Sequence, residues 1–306
     1  MLLRQALETG QFAITAEVTP PRGGDPSRTL AAAARLRGLV HAVNVTDGSR
    51  AVMRMSSLAL CRLLLDAGLE PVLQLACRDR NRIALQADLL GAHALGIRNV
   101  LCLTGDPVGA GDQPGARAVN ELEAVRLLQL VGQLNAGLDP VEGLLPDGPT
   151  TLFPGAAADP QSTSWSGLRA RVARKQAAGA CFLQTQMVMN TEALRRFCGE
   201  ISEPLGLPVL AGVFLLKSAR NAAFINRVVP GASIPQSIID RLAASADPAA
   251  EGVAIAAEQV RSYSAIAQGV HLMAVKAEER IPLILAEAGV PALGGSLPME
   301  VSSLPR

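Results

Sequence analysis

Residues 71–107 read PVLQLACRDRNRIALQADLLGAHALGIRNVLCLTGDP and contain one full unit of the pattern that decides the fold. The apolar run 71–76 has the length of a buried strand, and residues 82–96 have the apolar spacing of a helix. Gly96 ends that helix, because glycine readily adopts the left-handed C-cap conformation. A second apolar run follows at 100–104. A strand, a helix and a second strand in this order predict parallel strands joined by a helix.

The same unit recurs from one end of the chain to the other. Helix-like segments lie at 28–39, 54–68, 82–96 and 122–134, and Gly68 and Gly179, like Gly96, precede strands. The strand candidates are residues 12–19, 41–46, 71–76, 100–104, 150–155, 181–186, 208–214 and 269–273. Eight strands, each followed by a helix, predict an α/β fold, a single-domain (β/α)8 TIM barrel over residues 1–306 with longer loops at 105–118 and 137–148.

A doubly wound sheet is the alternative fold. Its nucleotide-binding form requires G-x-G-x-x-G after the first strand, where this chain has EVTPPRGGDP at 17–26. A doubly wound sheet without that fingerprint stays open at this point.

The composition excludes several classes of function. The 306 residues include 28 Lys+Arg and 27 Asp+Glu, whereas nucleic-acid-binding domains normally carry a basic surplus. Aromatic residues make up only 3%, which removes the usual platform for base stacking, and the 49% apolar content is too high for disorder. The most apolar stretch, 58–77, is broken by charges and by Pro71, so we predict no membrane span.

Cysteines and histidines are scattered rather than clustered. The five cysteines and three histidines are Cys61, Cys77, Cys102, Cys181, Cys198, His41, His93 and His271. This spacing predicts buried thiols in a reducing cytoplasm and no metal site. The first residues, MLLRQALETGQF, lack the pattern of a signal peptide, which also favours a cytoplasmic protein.

Alternation along the strands predicts which side chains enter the barrel. If the apolar positions pack outward on helices, the polar positions face the axis. In the fourth strand this rule turns Leu101 and Leu103 outward and Cys102 inward. The inward polar set at the C-terminal strand ends is Glu17, Thr46, Gln74, Thr104, Asp106 and Gln186. Barrel enzymes place their chemistry at this face, and a carboxyl group in a barrel mouth suits a general acid.

Each of these residues also has a structural interpretation. Glu17 could pair with a barrel Arg or Lys, and Asp106 in T-G-D-P could simply cap backbone amides. Lys175 could be a solvated charge in the last turn of a helix, and Met187 and Met189 could fill the core. The convergence of the polar set on one rim favours the functional interpretation.

Seven motifs in register resemble the 5,10-methylenetetrahydrofolate reductase family. They are AEVTPPRG at 16–23, NVTDG at 44–48, QLACRDRN at 74–81, LTGDP at 103–107, ARKQAAGACFLQTQ at 173–186, VPGASIP at 229–235 and GVHLM at 269–273. The resemblance implies a (β/α)8 enzyme that binds FAD at the barrel mouth. NADH or NADPH reduces the flavin, which then reduces 5,10-methylenetetrahydrofolate to 5-methyltetrahydrofolate.

The resemblance also implies roles for individual residues. Glu17 matches the general acid, Asp106 a carboxylate beside flavin and pterin, and Gln186 an amide that hydrogen-bonds the substrate. The expected flavin contacts are Thr46, Gln74, Thr104, Gly105, Phe153, Gly155 and Lys175, with Lys175 near the diphosphate. Phe214, Lys217 and Lys276 are expected at the folate, the two lysines from their positions after the last two strands.

Departures from the family pattern leave alternatives open. The third-strand histidine of the family is Gln74 here, and MVMN at 187–190 replaces an aromatic run. A flavin-independent reductase, an enzyme working in the oxidative direction, a pterin-binding barrel methyltransferase and a non-catalytic partner subunit all stay open, as does a homo-oligomer. With so few aromatics, we expect the flavin and pterin rings to stack mainly on each other, beside Phe153 and Phe214 at strand ends.

Overall fold

A computed structural model describes residues 2–139, 141, 143–229 and 231–293. The predicted domain 1–306 and the motif at 229–235 include positions outside the described residues, namely 1, 140, 142, 230 and 294–306.

Eight parallel strands close into a barrel, which confirms the predicted (β/α)8 fold and excludes the doubly wound sheet. The strands are β1 Ala13–Val18, β2 Ala42–Val45, β3 Pro71–Ala76, β4 Asn99–Leu103, β5 Phe153–Ala158, β6 Phe182–Met187, β7 Val209–Phe214 and β8 Gly269–Met273. Neighbours in the chain pair with each other, and β8 closes the barrel by pairing with β1 from Ala13↔Gly269 to Ala16↔Leu272.

Helices surround this barrel. They are α1 Leu3–Glu8, α2 Ser27–Ala34, α3 Ser57–Asp66, α4 Arg82–Ala94, α5 Ala124–Asn135, α6 Trp165–Ala177, α7 Thr191–Phe197, α8 Ala219–Val228, α9 Gln236–Ala244, α10 Pro248–Ser264 and α11 Ile281–Glu287. Gly68 and Gly96 follow α3 and α4 with φ of 73° and 87°, as predicted for C-caps. No helix within the described part of the chain is long and apolar enough to cross a membrane.

The N-terminal end of the barrel is closed by an apolar cluster that we call the floor. It comprises Leu3, Ala6, Leu7, Ala13, Ala42, Val72, Leu101, Phe153, Phe182 and Leu210. The first three belong to α1, which covers this end, and the rings of Phe153 and Phe182 stack with centroids 5.4 Å apart. Because the floor is filled, the space for a ligand lies at the opposite, C-terminal end of the strands, which we call the mouth.

The side-chain direction predicted for β4 is wrong. Leu101 packs in the floor inside the barrel, whereas Cys102 packs in the outer core between strands and helices. The pairing Gln74↔Leu101 agrees, since partners in a parallel pair point to the same side and Gln74 points inward. The prediction failed because the lower part of the barrel is itself apolar, so an apolar residue does not have to face a helix.

The predicted position of the fifth strand is also wrong, by three residues. Strand β5 begins at Phe153, so this ring lies at the floor and not at the mouth. Gly155 lies in mid-strand, where a Cβ atom would stand 2.2 Å from Cζ of Phe182. Neither residue can therefore contact a flavin at the mouth, and the inward position nearest the mouth on β5 is Ala157. The sequence FPGAAA hid this strand because its small residues leave room for Phe182 and have little strand propensity.

The single tryptophan lies outside the barrel, at the start of α6. Trp165 is half-buried, its Nε1–H donates to Glu200 at 3.0 Å, and the guanidinium of Arg196 lies 4.0 Å from the ring centroid. This ring joins α6 to the α7 region and takes no part in the floor or the mouth.

Candidate functional site

Glu17 lies at the mouth, near the C-terminal end of β1. Its side chain is 17% exposed, and its Oε2 is 3.6 Å from Nε2 of His271 on β8. The structural interpretation of Glu17 required an Arg or Lys partner, and the structure places a histidine there instead. The two strands are adjacent in the barrel, so this pair is fixed by the closure between β1 and β8.

His271 is completely buried beneath Glu17. Its Nδ1 lies 3.0 Å from Oγ1 of Thr15 and 3.5 Å from Nδ2 of Asn44. The Thr15 hydroxyl can donate either to Nδ1 or to the carbonyl of Val270, 3.4 Å away. The amide of Asn44 offers only protons at Nδ2, so Nδ1 is best placed as an acceptor. In that tautomer Nε2 carries the proton and faces Glu17. Oε2 of Glu17 is 3.6 Å away, and Nε2 makes no hydrogen bond. The N–H at Nε2 therefore points to the carboxyl group of Glu17.

Several polar groups inside the barrel lack a partner. Thr46 is 2% exposed, and its hydroxyl makes no hydrogen bond, nor do Oδ1 of Asn44 and Oε1 of Gln184. Gln74 on β3 is also buried, at 7% exposure. An unsatisfied buried polar group costs about 1–3 kcal/mol, which is typical of groups that a ligand or water completes. Thr46 directly follows β2 and Gln74 lies on β3, the two strands that continue the barrel from β1, which carries Glu17.

The loop after β4 holds Thr104, Gly105 and Asp106. The hydroxyl of Thr104 accepts the backbone N–H of Ala124 at 3.2 Å, at the first residue of α5. Asp106 is exposed, and its Oδ2 accepts the backbone N–H of Arg50 at 2.5 Å. The amide-capping interpretation of Asp106 is therefore confirmed, although the capped amide belongs to the loop after β2. The inward direction predicted for this segment does not apply, since β4 ends at Leu103.

Gly105 allows this loop to pass close to its neighbour. Its φ is 96°, and a Cβ atom at this position would lie 2.8 Å from Cβ of Arg78. Arg78 is 4% exposed and donates from Nη1 to the carbonyl of Asp106 at 3.3 Å. A side chain at Gly105 would separate these loops. Glycine at this position therefore allows the two loops to pack together at the rim.

Lys175 is not a solvated surface charge. It extends from α6 to the rim, where Nζ donates to the carbonyl of Ala157 at 2.6 Å. Burial lowers the pKa of this ammonium, with the nearby Arg171 acting in the same direction. A partly desolvated cation beside the inward-facing Ala157 is well placed to attract an anionic ligand group at the mouth.

The remaining predicted residues occupy the β6, β7 and β8 side. Gln186 is exposed near the end of β6, next to a bulge in its pairing with β7, and Phe214 is half-buried as the last residue of β7. Lys217 donates from Nζ to the carbonyl of Val275 at 3.0 Å, whereas Lys276 is exposed with φ of 57°. Met187 and Met189 pack with the α8–α10 apolar cluster, as the core interpretation predicted.

Sequence reasoning missed the histidine and its supports. His271 was counted among the scattered histidines, in the apolar run GVHLM, and Thr15 and Asn44 were given no role. Alternation along β8 could have predicted the direction of the His271 side chain. It places His271 on the same side of the strand as Gly269 and Met273, two positions away on either side. Asp47 was also missed: its Oδ2 accepts Nη1 of Arg80 at 2.6 Å and the N–H of Ala76 at 2.9 Å, which ties together the loops after β2 and β3.

A closed parallel barrel with acidic, amide and hydroxyl side chains at its mouth has the architecture of the (β/α)8 enzymes that act on small molecules. The chain belongs to the methylenetetrahydrofolate reductase family, whose family model matches residues 2–289.

Solved structures agree on the fold. A protein from Clostridium thermocellum, described as binding two copies of 5-methyl-5,6,7,8-tetrahydrofolic acid, is 15% identical with a TM-score of 0.64, over 94% of this chain and 98% of that chain. A chain from Aquifex aeolicus VF5 is 13% identical with a TM-score of 0.50, over 94% of this chain and 90% of that chain. At these identities the likeness shows a shared fold.

Proposed function

We propose that this protein reduces 5,10-methylenetetrahydrofolate to 5-methyltetrahydrofolate with FAD and NADH or NADPH. The observation that carries the proposal is the carboxyl of Glu17 at the mouth, 3.6 Å from the buried Nε2 of His271. Family membership over residues 2–289 supports a folate-related reductase. The reducing cytoplasm is the expected compartment, because the five cysteines form no disulfide.

The residues at the mouth fit a flavin. An isoalloxazine ring offers hydrogen-bonding groups along one edge, and the unpartnered hydroxyl of Thr46 and the buried amide of Gln74 supply complementary partners. Lys175 would face the diphosphate, and Thr104, Gly105 and Asp106 would border the rings. When bound, FAD supplies the transfer of hydride from the nicotinamide to the folate.

Glu17 and His271 would together control the transfer of one proton. Transfer of that proton from Glu17 to a folate nitrogen would open the five-membered ring of the substrate and leave a carboxylate. The proton on Nε2 of His271, held by the tautomer that Thr15 and Asn44 favour, faces that carboxylate and would stabilise it. The present separation of 3.6 Å is longer than a hydrogen bond, and a small side-chain rotation closes it.

The other mouth residues would bind and orient the folate. Gln186 can hydrogen-bond the pterin through its exposed amide, and Phe214 offers an apolar wall. The negative charge of Asp106, fixed by the N–H of Arg50, would stabilise a cationic form of the substrate. Lys217 and Lys276 would serve the anionic glutamate tail.

An absorbance spectrum of the purified protein tests the flavin and the electron donor together. We expect flavin absorbance bands in the near-ultraviolet and visible range. These bands should bleach on anaerobic addition of NADH or NADPH and return on addition of 5,10-methylenetetrahydrofolate. A colourless protein that stays inactive with added FAD would exclude the flavin-dependent reaction. Light scattering of the same sample would report whether the protein is a homo-oligomer.

A flavin-independent folate protein is the second candidate. Phe214 is the one aromatic residue that the described chain places at the strand ends of the mouth, since Phe153 lies at the floor. The Clostridium protein with a similar fold is described as binding two folate molecules. A colourless protein that binds about two equivalents of 5-methyltetrahydrofolate in calorimetry would favour this candidate. Methyl transfer without any consumption of NADH would instead favour a pterin-binding methyltransferase.

A further inference from the structure

A second cavity, which we call the His41 cavity, lies at the opposite end of the protein from the mouth. Its volume is about 620 Å³, within the range of small-molecule sites. It is bordered by residues that precede β1 and β2, by the C-terminal half of α10 and by the segment after α11. The lining residues that matter here are Phe12, Ile14, His41, Val260, Arg261 and Leu293. Ile14 belongs to the outer core, so the cavity lies outside the barrel wall and apart from the proposed active site.

His41 lines this cavity and carries an unsatisfied hydrogen-bond donor. The residue is 3% exposed, and its Nδ1 accepts the backbone N–H of Ile14 at 3.0 Å. An Nδ1 that accepts has no proton, so the neutral ring carries its proton on Nε2. That Nε2 is buried and has no hydrogen-bond partner. Burial lowers the pKa of His41, which keeps the ring neutral and this tautomer in place.

The other walls define the rest of a ligand. Phe12, Ile14, Val260 and Leu293 are apolar and suit a hydrocarbon body. Arg261 brings a positive charge to the same cavity, and one of its five N–H groups is used by the carbonyl of Glu287, at 2.7 Å from Nη1. A neutral N–H donor and a guanidinium on an apolar cavity are complementary to an anionic acceptor on an apolar body.

We propose that the His41 cavity binds a small apolar carboxylate, whose oxygens accept from Nε2 of His41 and from the guanidinium of Arg261. The site is independent of the proposed folate reaction, because none of these residues belongs to the mouth. An alkyl chain in contact with Phe12 and Leu293 would account for the apolar part of the binding energy.

Octanoate is a suitable probe, with octanol as the uncharged control of equal chain length. The full chain has three histidines, so the ring signals in a ¹H–¹³C NMR spectrum are few enough to assign by substitution. We expect saturable binding of octanoate that shifts the ring signals of His41 and leaves those of His93 and His271 in place. Octanol should bind more weakly than octanoate.

Two substitutions test the recognition. His41→Phe and Arg261→Gln should each weaken octanoate binding about tenfold or more, as expected for the loss of a hydrogen bond to a charged group. Arg195→Gln on the exposed surface of α7 is the matched control and should leave the affinity unchanged. Arg261 is itself exposed, so its substitution keeps the test valid even if His41→Phe fails to fold.

Four results would overturn the proposal, of which three concern octanoate alone. They are no saturable binding of octanoate, an affinity that neither substitution changes, and shifts at His271 in place of His41, which would put the probe in the mouth. Equal affinities for octanoate and octanol would equally rule out recognition of a carboxylate. None of these results bears on folate reduction, so the two proposals fail independently.

Discussion

At the scale of single residues, the arrangement of Glu17 above His271 sets the chemistry of the mouth. The carboxyl group is reached by solvent on one side, whereas the imidazole beneath it is fully buried. The imidazole can act on the carboxyl group of Glu17 without itself contacting a ligand. The two residues therefore call for different substitutions and different measurements.

Replacing Glu17 by Gln should separate the two halves of the proposed reaction. The amide cannot donate a proton as an acid does, so reduction of 5,10-methylenetetrahydrofolate should fall by about 10²- to 10⁴-fold. Oxidation of NADH by an artificial electron acceptor should stay within about twofold of the unmodified rate. Stopped-flow absorbance measures both. Glu192→Gln, at an exposed position of α7, is the control, and an equal loss in both half-reactions would contradict the role of Glu17.

Replacing His271 by Gln should weaken the same step less severely. Loss of one hydrogen bond to a charged group corresponds to roughly 10- to 100-fold in the rate of folate reduction. Oxidation of NADH by an artificial electron acceptor should stay within about twofold of the unmodified rate, because His271 acts through Glu17 in the folate half-reaction. His93→Gln removes a half-buried histidine near the C-terminal end of α4, away from the mouth, and should leave both rates unchanged. An equal loss in both half-reactions would reduce His271 to a packing role.

At the scale of helices and strands, two glycines show how closely the outer helices approach the barrel. In α10, a Cβ atom on Gly252 would stand 1.7 Å from the carbonyl oxygen of Leu216, directly after β7. In α5, a Cβ atom on Gly132 would meet nothing within 4 Å. The two positions have the same secondary structure and differ only in the space around them.

Alanine at these two glycines should therefore change stability in opposite directions. Gly252→Ala forces α10 away from the barrel and should lower the free energy of unfolding by about 1–3 kcal/mol. Gly132→Ala should raise it by about 0.5–1 kcal/mol, since alanine is the better helix former. Urea unfolding followed by circular dichroism measures both changes. A Gly252→Ala variant that is as stable as the unmodified protein, or more stable, would show that packing of α10 does not limit this position.

The accuracy of the predicted strand bounds depended on how each strand is buried. Strand β3 was predicted with its observed bounds, 71–76, because PVLQLA is a short apolar run between polar segments. Strand β5 was displaced because its residues are small to accommodate Phe182. The mouth was predicted best where strands end in polar residues, as at Glu17, Thr46 and Gln74. His271 was missed because its polar partners Thr15 and Asn44 lie on other strands, and their proximity appears only when the barrel closes.

At the scale of the whole molecule, buried His41 links stability to acidity. Burial lowers the pKa of His41 in the folded state below its ordinary value of 6.5. Below pH 6.5 the unfolded chain therefore binds a proton that the folded chain does not, and stability falls as the pH decreases through 6.5 toward the folded pKa. Above pH 6.5 both states are neutral at this ring, and the effect vanishes.

Chemical unfolding at pH 7.5 and at pH 5.5 measures this link. We expect the unmodified protein to be less stable at the lower pH, and His41→Gln to lose less stability between the two values. Gln can still accept the N–H of Ile14 through its carbonyl oxygen, so the fold should be preserved. His93→Gln is the comparison, as its ring is half-buried and its pKa is also lowered, by burial and by Arg98. An identical pH dependence with and without His41 would contradict the link.

The contact of Trp165 with Arg196 has a practical consequence for spectroscopy. With one tryptophan and one tyrosine, the protein absorbs weakly in the near ultraviolet, so a bound chromophore would dominate that region. Emission from the protein would come mainly from a single fluorophore between α6 and the segment after β6, within reach of charge-dependent quenching by Arg196 and Glu200. Fluorescence of this one indole would thus report on movement beside the β5 and β6 ends of the mouth without any added label.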